Sequence, residues 1–311
     1  MRVLAIVAVA LIIFTAIAVA WLWTPDLDRA TLEAKYLASP GDMIDVGLGA
    51  VTPARLHVRD NGRKDAPALI MLHGFGASLH TWEPWAAALA DEFRVIRFDL
   101  PGSGLSPPDP TGDYSDVRSM QLLNALMDKV GLKHATLIGN SMGGRIAWTF
   151  AARFPARVDK LVLISPDGFA SAGFEYNKKP HVPAMVKLMR YALPKSLLGM
   201  SLKPAYADPK VMTDALVTRY HDLMLAPGAR DAIIARMGQV VLMDPVPWLK
   251  QIQAPTLLLW GEQDAMIPFA NSEDYLKAIP NVSRVSLPGI GHLPHEEDPT
   301  RSLVPLRAFL K

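Results

Sequence analysis

The chain opens on an unbroken apolar run: Arg2 precedes it, and from Val3 to Trp23 no residue is charged. At about 1.5 Å per residue, these roughly 21 residues would form a helix about 32 Å long, close to the roughly 30 Å hydrocarbon core of a bilayer. Two readings of the run compete. A cleavable signal segment would use Ala18-Val19-Ala20 as its small-residue cleavage site. An uncleaved anchor is favoured instead, because the run exceeds the usual signal core and the bulky Trp21-Leu22-Trp23 follows directly, where indole rings suit a membrane interface. Arg2 before the run and Asp26 and Asp28 after it favour an inside N-terminus, although Arg29 and Lys35 weaken that bias. The predicted location is the membrane, with the body of the protein extracytoplasmic, or outside the cell if the segment is cleaved.

Beyond the run, Asp26 to Leu37 reads as a short polar helix broken by Ser39-Pro40-Gly41. Arg55 to Arg59 alternates like a strand, and Asp60-Asn61-Gly62 reads as a turn. A regular succession then begins. Strands are predicted at Ala68–Leu72, Arg94–Phe98, Ala135–Ile138 and Leu161–Ile164, with helices over Thr81–Ala90, Asp116–Val130 and Ser141–Phe154 between them. Short apolar strands alternating with helices predict βαβ units and a parallel sheet buried on both faces. The alternation stops between about Asp167 and Gln251, where a helical pattern is punctuated by Pro180, Pro183, Pro194, Pro204 and Pro209. It resumes with strands at Thr256–Trp260 and Arg284–Leu287, a helix over Ser272–Ala278 and a terminal helix to Lys311. An insertion of roughly 80 residues is too long for a plain loop and reads as a helical cap. The expected organisation is an anchor or signal over 1–25, a linker over 26–50, an α/β core over 51–166 and 252–311, and a cap over 167–251.

Composition narrows the function classes. With 311 residues, half of them hydrophobic, the chain can bury a large core. A net charge of +2 with no basic run leaves no footprint for nucleic acid. The absence of cysteine excludes disulfides, thiolate metal sites and a cysteine nucleophile.

The chemistry lies in Gly139-Asn140-Ser141-Met142-Gly143-Gly144, a GxSxG pattern set between a predicted strand and a predicted helix. Such a turn lifts a serine hydroxyl to the carboxyl edge of the sheet, and its tightness demands small neighbours. Ser141 is therefore the candidate nucleophile. A hydroxyl needs a base, and His292, in the loop after the last strand, is placed to return over the sheet edge. His73 reads as structural, and His295 with Glu296 and Glu297 reads as a surface cluster whose spacing fits no zinc-hydrolase pattern. Asp264, after the strand ending at Trp260, completes the chain order Ser, Asp, His and is favoured over Glu262 and Asp167 as the acid. The backbone N–H groups of Phe75 and Met142 are the candidate oxyanion donors. This chemistry calls for neither a metal nor an organic cofactor.

Together these elements resemble the α/β-hydrolase superfamily from about Val51 onward, and Asp99 to Ser106 resembles its strand-to-loop segment. The resemblance implies a serine hydrolase with a mostly parallel sheet, a helical cap and an acyl-enzyme on Ser141. The elbow is similar to that of the meta-cleavage-product C–C hydrolases. Phe75-Gly76 in place of a glycine-rich stretch, and Leu293 where those enzymes usually carry tryptophan, tilt the expectation toward carboxylic esters, including lipophilic ones. Epoxide hydrolases and haloalkane dehalogenases, with aspartate as nucleophile, are disfavoured. C–C bond hydrolysis is one alternative, and a non-catalytic membrane-tethered binding protein is another. The cap methionines Met185, Met189, Met200, Met212, Met224, Met237 and Met243, with aromatics such as Phe169 and Phe174, either line a pocket or pack the cap onto the core.

Overall fold

In the computed structural model, which describes residues 2–170 and 175–311, eight strands form one sheet in the order β1-β2-β4-β3-β5-β6-β7-β8. They are β1 (Met43–Val46), β2 (Ala54–Gly62), β3 (Ala68–Leu72), β4 (Arg94–Phe98), β5 (Ala135–Asn140), β6 (Val158–Ile164), β7 (Thr256–Gly261) and β8 (Val282–Leu287). Pairings β1–β2 and β2–β4 are antiparallel, and all others are parallel. Period-two alternation sorts the central strands onto two faces. Ile70, Leu72, Leu137 and Leu163 enter one core, whereas Leu69, Met71, Ile138 and Val162 enter the other. Both cores are closed by helices, so these strands read as continuous apolar runs.

Thirteen α-helices are described: α1 (Arg2–Leu22), α2 (Arg29–Tyr36), α3 (Glu83–Leu89), α4 (Asp116–Lys129), α5 (Met142–Arg153), α6 (Ala184–Lys187), α7 (Lys195–Leu202), α8 (Asp214–Met224), α9 (Ala229–Gln239), α10 (Val246–Leu249), α11 (Ser272–Ala278), α12 (Pro294–Glu297) and α13 (Pro299–Leu310). Their starts follow local chemistry. The side chains of Ser115, Thr213 and Asp298 accept the N–H groups of Arg118, Leu216 and Arg301 at the first turns of α4, α8 and α13. Helices α4, α5 and α11 cover one face, and α3 and α13 cover the other. Helices α6 to α10 occupy the long interval between β6 and β7. Phe174 lies outside the described residues.

Two local expectations change. Asp60-Asn61-Gly62 is not a turn: all three residues continue β2 and pair with Ile96, Val95 and Arg94 of β4. Cross-strand chemistry overrides their turn propensity, since Arg94 makes a two-pronged contact with the Asp60 carboxylate (3.0 and 2.7 Å) and Arg97 donates to Asn61 Oδ1 (3.0 Å). Gly62 ends the strand at φ 80°, where a Cβ would sit 2.2 Å from the Phe93 carbonyl oxygen. Met43–Val46, read as linker, is instead the edge strand β1. Its four residues are too few for periodicity to distinguish them from loop.

The N-terminal run is helical as α1. Among the described residues no helix is long and apolar enough to cross a membrane. The predicted span over 3–23 falls partly outside them, because the side chains of 2–5, 8, 16, 18, 19 and 21 are not described.

Candidate active site

Ser141 lies at the β5–α5 junction with φ 52° and ψ −120°, a conformation costly for any residue with a side chain. Close packing holds it there. A Cβ on Gly139 would fall 2.4 Å from the Gly143 carbonyl oxygen, and one on Gly143 would fall 2.2 Å from the Leu72 carbonyl oxygen. Strand and helix can therefore approach only through glycine. The Ser141 N–H donates to the Ile164 carbonyl (3.0 Å), and the Ser141 carbonyl accepts from the N–H groups of Arg145 and Asp167 (3.0 Å each).

His292 and Asp264 arrive from the loops after β8 and β7. Nδ1 of His292 lies 2.7 Å from Oδ2 of Asp264, with both side chains buried. The other oxygen, Oδ1, accepts the N–H groups of Met266 and Ile267 at 2.8 Å each. With both oxygens engaged the carboxylate cannot rotate, and it selects the tautomer that leaves Nε2 of His292 as the proton acceptor. The two rival acids are engaged elsewhere. Glu262 accepts from Ser286 (2.8 Å), and Asp167 accepts from Arg145 (2.5 Å).

Met142 opens α5, so its N–H has no acceptor within the helix. Phe75 lies in the loop after β3. Gly74 before it is so close to the elbow that a Cβ there would meet that of Ser141 at 3.3 Å. His73 holds this loop in place. Burial lowers its pKa, and the neutral ring donates from Nδ1 to the Gly74 carbonyl (2.8 Å) while Nε2 accepts the Leu100 N–H (3.0 Å). Its structural reading thus acquires a physical task. A cleft lined by Gly76, Gly102, Tyr220, Met224 and Ile233, among others, opens between this loop and the cap, and Ser141 is not among its lining residues.

Sequence reasoning passed over several supporting residues. Asn140, inside the elbow motif, donates to the carbonyls of His292 (3.1 Å) and Ile164 (3.2 Å), tying the Ser141 turn to the histidine loop. His295 and Glu296 are not a surface cluster. His295 is fully buried, its ring stacked on Trp82 with centroids 4.1 Å apart. The Glu296 carboxylate, also buried, accepts the hydroxyls of Tyr206 and Tyr220 at 2.8 Å each and pairs with Arg219. Burial beside that carboxylate raises both phenol pKa values, so both stay neutral donors. Glu297 accepts the N–H groups of Gly291 (2.7 Å) and Asp208 (2.8 Å), and the His292 N–H donates to the Ala205 carbonyl (2.9 Å). Cap and histidine loop are thereby one bonded unit. The polar run His295-Glu296-Glu297-Asp298 gives no hint of this, because the cap partners lie some 75 to 90 positions away.

Residues 67–299 match the family described as alpha/beta hydrolase fold. The chain belongs to that family and is a hydrolase. It is 29% identical over 246 residues to a 2-hydroxy-6-oxo-6-phenylhexa-2,4-dienoate hydrolase of Burkholderia cepacia, a match covering 76% of this chain and 85% of that one. Among solved structures it is similar to a bacterial membrane phospholipase A described as a virulence factor, with a TM-score of 0.71, 25% identity and coverage of 100% of this chain and 98% of the other. A meta-cleavage product hydrolase of Pseudomonas fluorescens shares the fold, with a TM-score of 0.70 at 22% identity over 83% of this chain and 94% of that one.

Proposed function

We propose that the protein is a membrane-anchored serine hydrolase of lipophilic carboxylic esters, with Ser141 as nucleophile, His292 as base and Asp264 as the orienting acid. The observation that carries this reading is the conjunction of a strained serine at the sheet edge with a buried His292–Asp264 pair whose carboxylate is held at both oxygens. In the reaction, Ser141 Oγ attacks the acyl carbon as its proton passes to Nε2 of His292. The N–H groups of Phe75 and Met142 take the developing oxyanion, each worth about 3 kcal/mol of barrier. The ester bond breaks, and the leaving alcohol takes the proton from His292. Water activated by His292 then attacks the acyl-enzyme, releases the acid and restores Ser141.

The anchor reading is supported by α1, whose 21 residues would span about 32 Å. Ile6, Leu11, Ile12, Phe14 and Ile17 on it are each more than 60% exposed, a condition water disfavours and hydrocarbon does not. The similarity to the membrane phospholipase A runs over the whole chain, α1 included, and supports both the location and a lipid ester as substrate. The catalytic body then lies on the extracytoplasmic side.

The similarity to the Burkholderia cepacia dienoate hydrolase favours a second reading, C–C bond hydrolysis at the same three residues. The test runs the wild type and Ser141→Ala on p-nitrophenyl esters of increasing acyl length, on a phospholipid and on a meta-cleavage dienoate. Ester turnover that falls on the order of a millionfold in the variant supports the proposal. Turnover of the dienoate alone moves the assignment to C–C hydrolysis. Inertness of the folded wild type on all three leaves a binding protein.

A further inference from the structure

The cap carries an exposed apolar surface on the side where α1 joins the body. Met185, Leu188, Tyr191, Leu197 and Met200 are between 51 and 76% exposed. They lie on or beside α6 and α7, in a stretch of unusual charge. From Tyr176 to Ala207 the chain has Lys178, Lys179, Lys187, Arg190, Lys195 and Lys203, and neither aspartate nor glutamate. The carboxylates that pair with cations of this stretch come from beside it: Glu175 pairs with Lys178, Asp231 on α9 with Arg190 and Asp214 on α8 with Lys195.

The chain leaving α1 is bonded to this surface. Trp23 stacks on Tyr191 with centroids 5.7 Å apart and ring planes 20° from parallel. The Thr24 N–H donates to the Tyr191 carbonyl (2.8 Å), and Thr24 Oγ1 accepts the Leu193 N–H (3.1 Å). Arg230 then donates to the Thr24 carbonyl (2.7 Å) and to Asp26 (2.6 Å), and the Leu27 N–H donates to the Leu225 carbonyl (2.8 Å). With six such contacts in five residues, the point at which α1 meets the body is fixed beside the cap surface rather than at the end of a loose tether.

We infer that the cap face formed by Met185, Leu188, Tyr191, Leu197 and Met200 docks on an anionic lipid bilayer, the same bilayer that holds α1. The inference rests on the anchor reading and adds an orientation to it. Exposed apolar side chains with cations between them are the composition of a surface lying at the headgroup boundary, where the side chains enter the acyl region and the cations meet lipid phosphates. Tyrosine and tryptophan at the junction suit the same depth. The cap, rather than the opposite edge of the sheet, then faces the membrane, and an acyl chain can reach the cap without crossing water.

The absence of cysteine makes the test direct, since any introduced thiol is the sole labelling site. Full-length Met185→Cys, Leu197→Cys, Ile12→Cys and Gln251→Cys variants are labelled with an environment-sensitive fluorophore and reconstituted in phosphatidylcholine–phosphatidylglycerol vesicles. Quenching by headgroup and acyl-chain nitroxide lipids is compared with quenching by aqueous iodide. The inference expects lipid quenching at positions 185 and 197 severalfold above that at 251, weakening when phosphatidylglycerol is omitted. Quenching at 12 with 185 and 197 no different from 251 would overturn it and leave the anchor standing. Protection of 185 and 197 from both quenchers, growing with protein concentration, would overturn it in favour of a second copy on this face. Absence of lipid quenching at 12 would remove the anchor reading itself.

Discussion

Lowering the pH from 7 to 5 should destabilise the protein through His295, which the fold buries in its neutral form. The ring is fully buried against Trp82; Nε2 lies 3.0 Å from Thr81 Oγ1, and Nδ1 has no partner among the described residues. Burial, with a smaller contribution from nearby His292, lowers its pKa from 6.5 to about 3. The neutral form therefore belongs to the fold and the protonated form to the unfolded chain. Stability is intact above the unfolded value of about 6.5 and falls as pH drops below it, because the unfolded state binds a proton that the folded state refuses. At pH 5 the loss is about 1.5 pH units times 1.36 kcal/mol, or about 2 kcal/mol. This figure is set by the unfolded value and the pH, so long as the folded pKa stays well below 5. His80, lowered to about 4 mainly by burial, adds a similar loss. His295→Phe keeps a ring against Trp82 and deletes the titration. Urea unfolding at pH 7 and pH 5 should show the variant within about 1 kcal/mol of wild type at pH 7 and gaining about 2 kcal/mol on it at pH 5. Parallel pH dependences for the two proteins would mean that His295 is protonated in the fold, and the reasoning would fail.

Two further outcomes follow from the same geometry. Asp264→Asn keeps the shape of the loop but favours the wrong tautomer of His292, and kcat on a short ester should fall about 10⁴-fold with KM little changed; a loss under tenfold would place the working acid elsewhere. Glu296→Gln leaves Arg219 without its carboxylate and weakens two phenol hydrogen bonds, costing about 3 kcal/mol in urea unfolding, the low end for a buried pair because Arg219 is 24% exposed. A loss below about 0.5 kcal/mol, typical of a solvated pair, would show that the cap and the histidine loop are not held together there.

Strands β3 to β7 were legible because each carries a short apolar run between breakers, a pattern that a sheet covered on both faces imposes on sequence, whereas edge strand β8 was legible by its alternation of Val282, Arg284 and Ser286 with Ser283, Val285 and Leu287. Helix α11 was read to the residue, from Ser272 to Ala278. Misreadings occurred where long-range partners decide. Asp60-Asn61-Gly62 has turn chemistry in isolation and becomes strand because Arg94 and Arg97 lie across from it. Edge strand β1 is too short for its periodicity to register. His295 and Glu296 look like solvated polar residues until Trp82, Tyr206 and Tyr220 close over them.

The chain by itself determined the elbow, the order Ser141, Asp264, His292, and the parallel sheet that carries them, because those features are local: a glycine-flanked turn, and short continuous runs of apolar residues. The tertiary structure alone decided which carboxylate reaches His292, that cap and histidine loop are bonded through Glu296 and Glu297, and that α1 joins the body beside the exposed face of the cap. Each of these depends on groups that sequence spacing leaves unrelated and that only the closed sheet brings within hydrogen-bond distance.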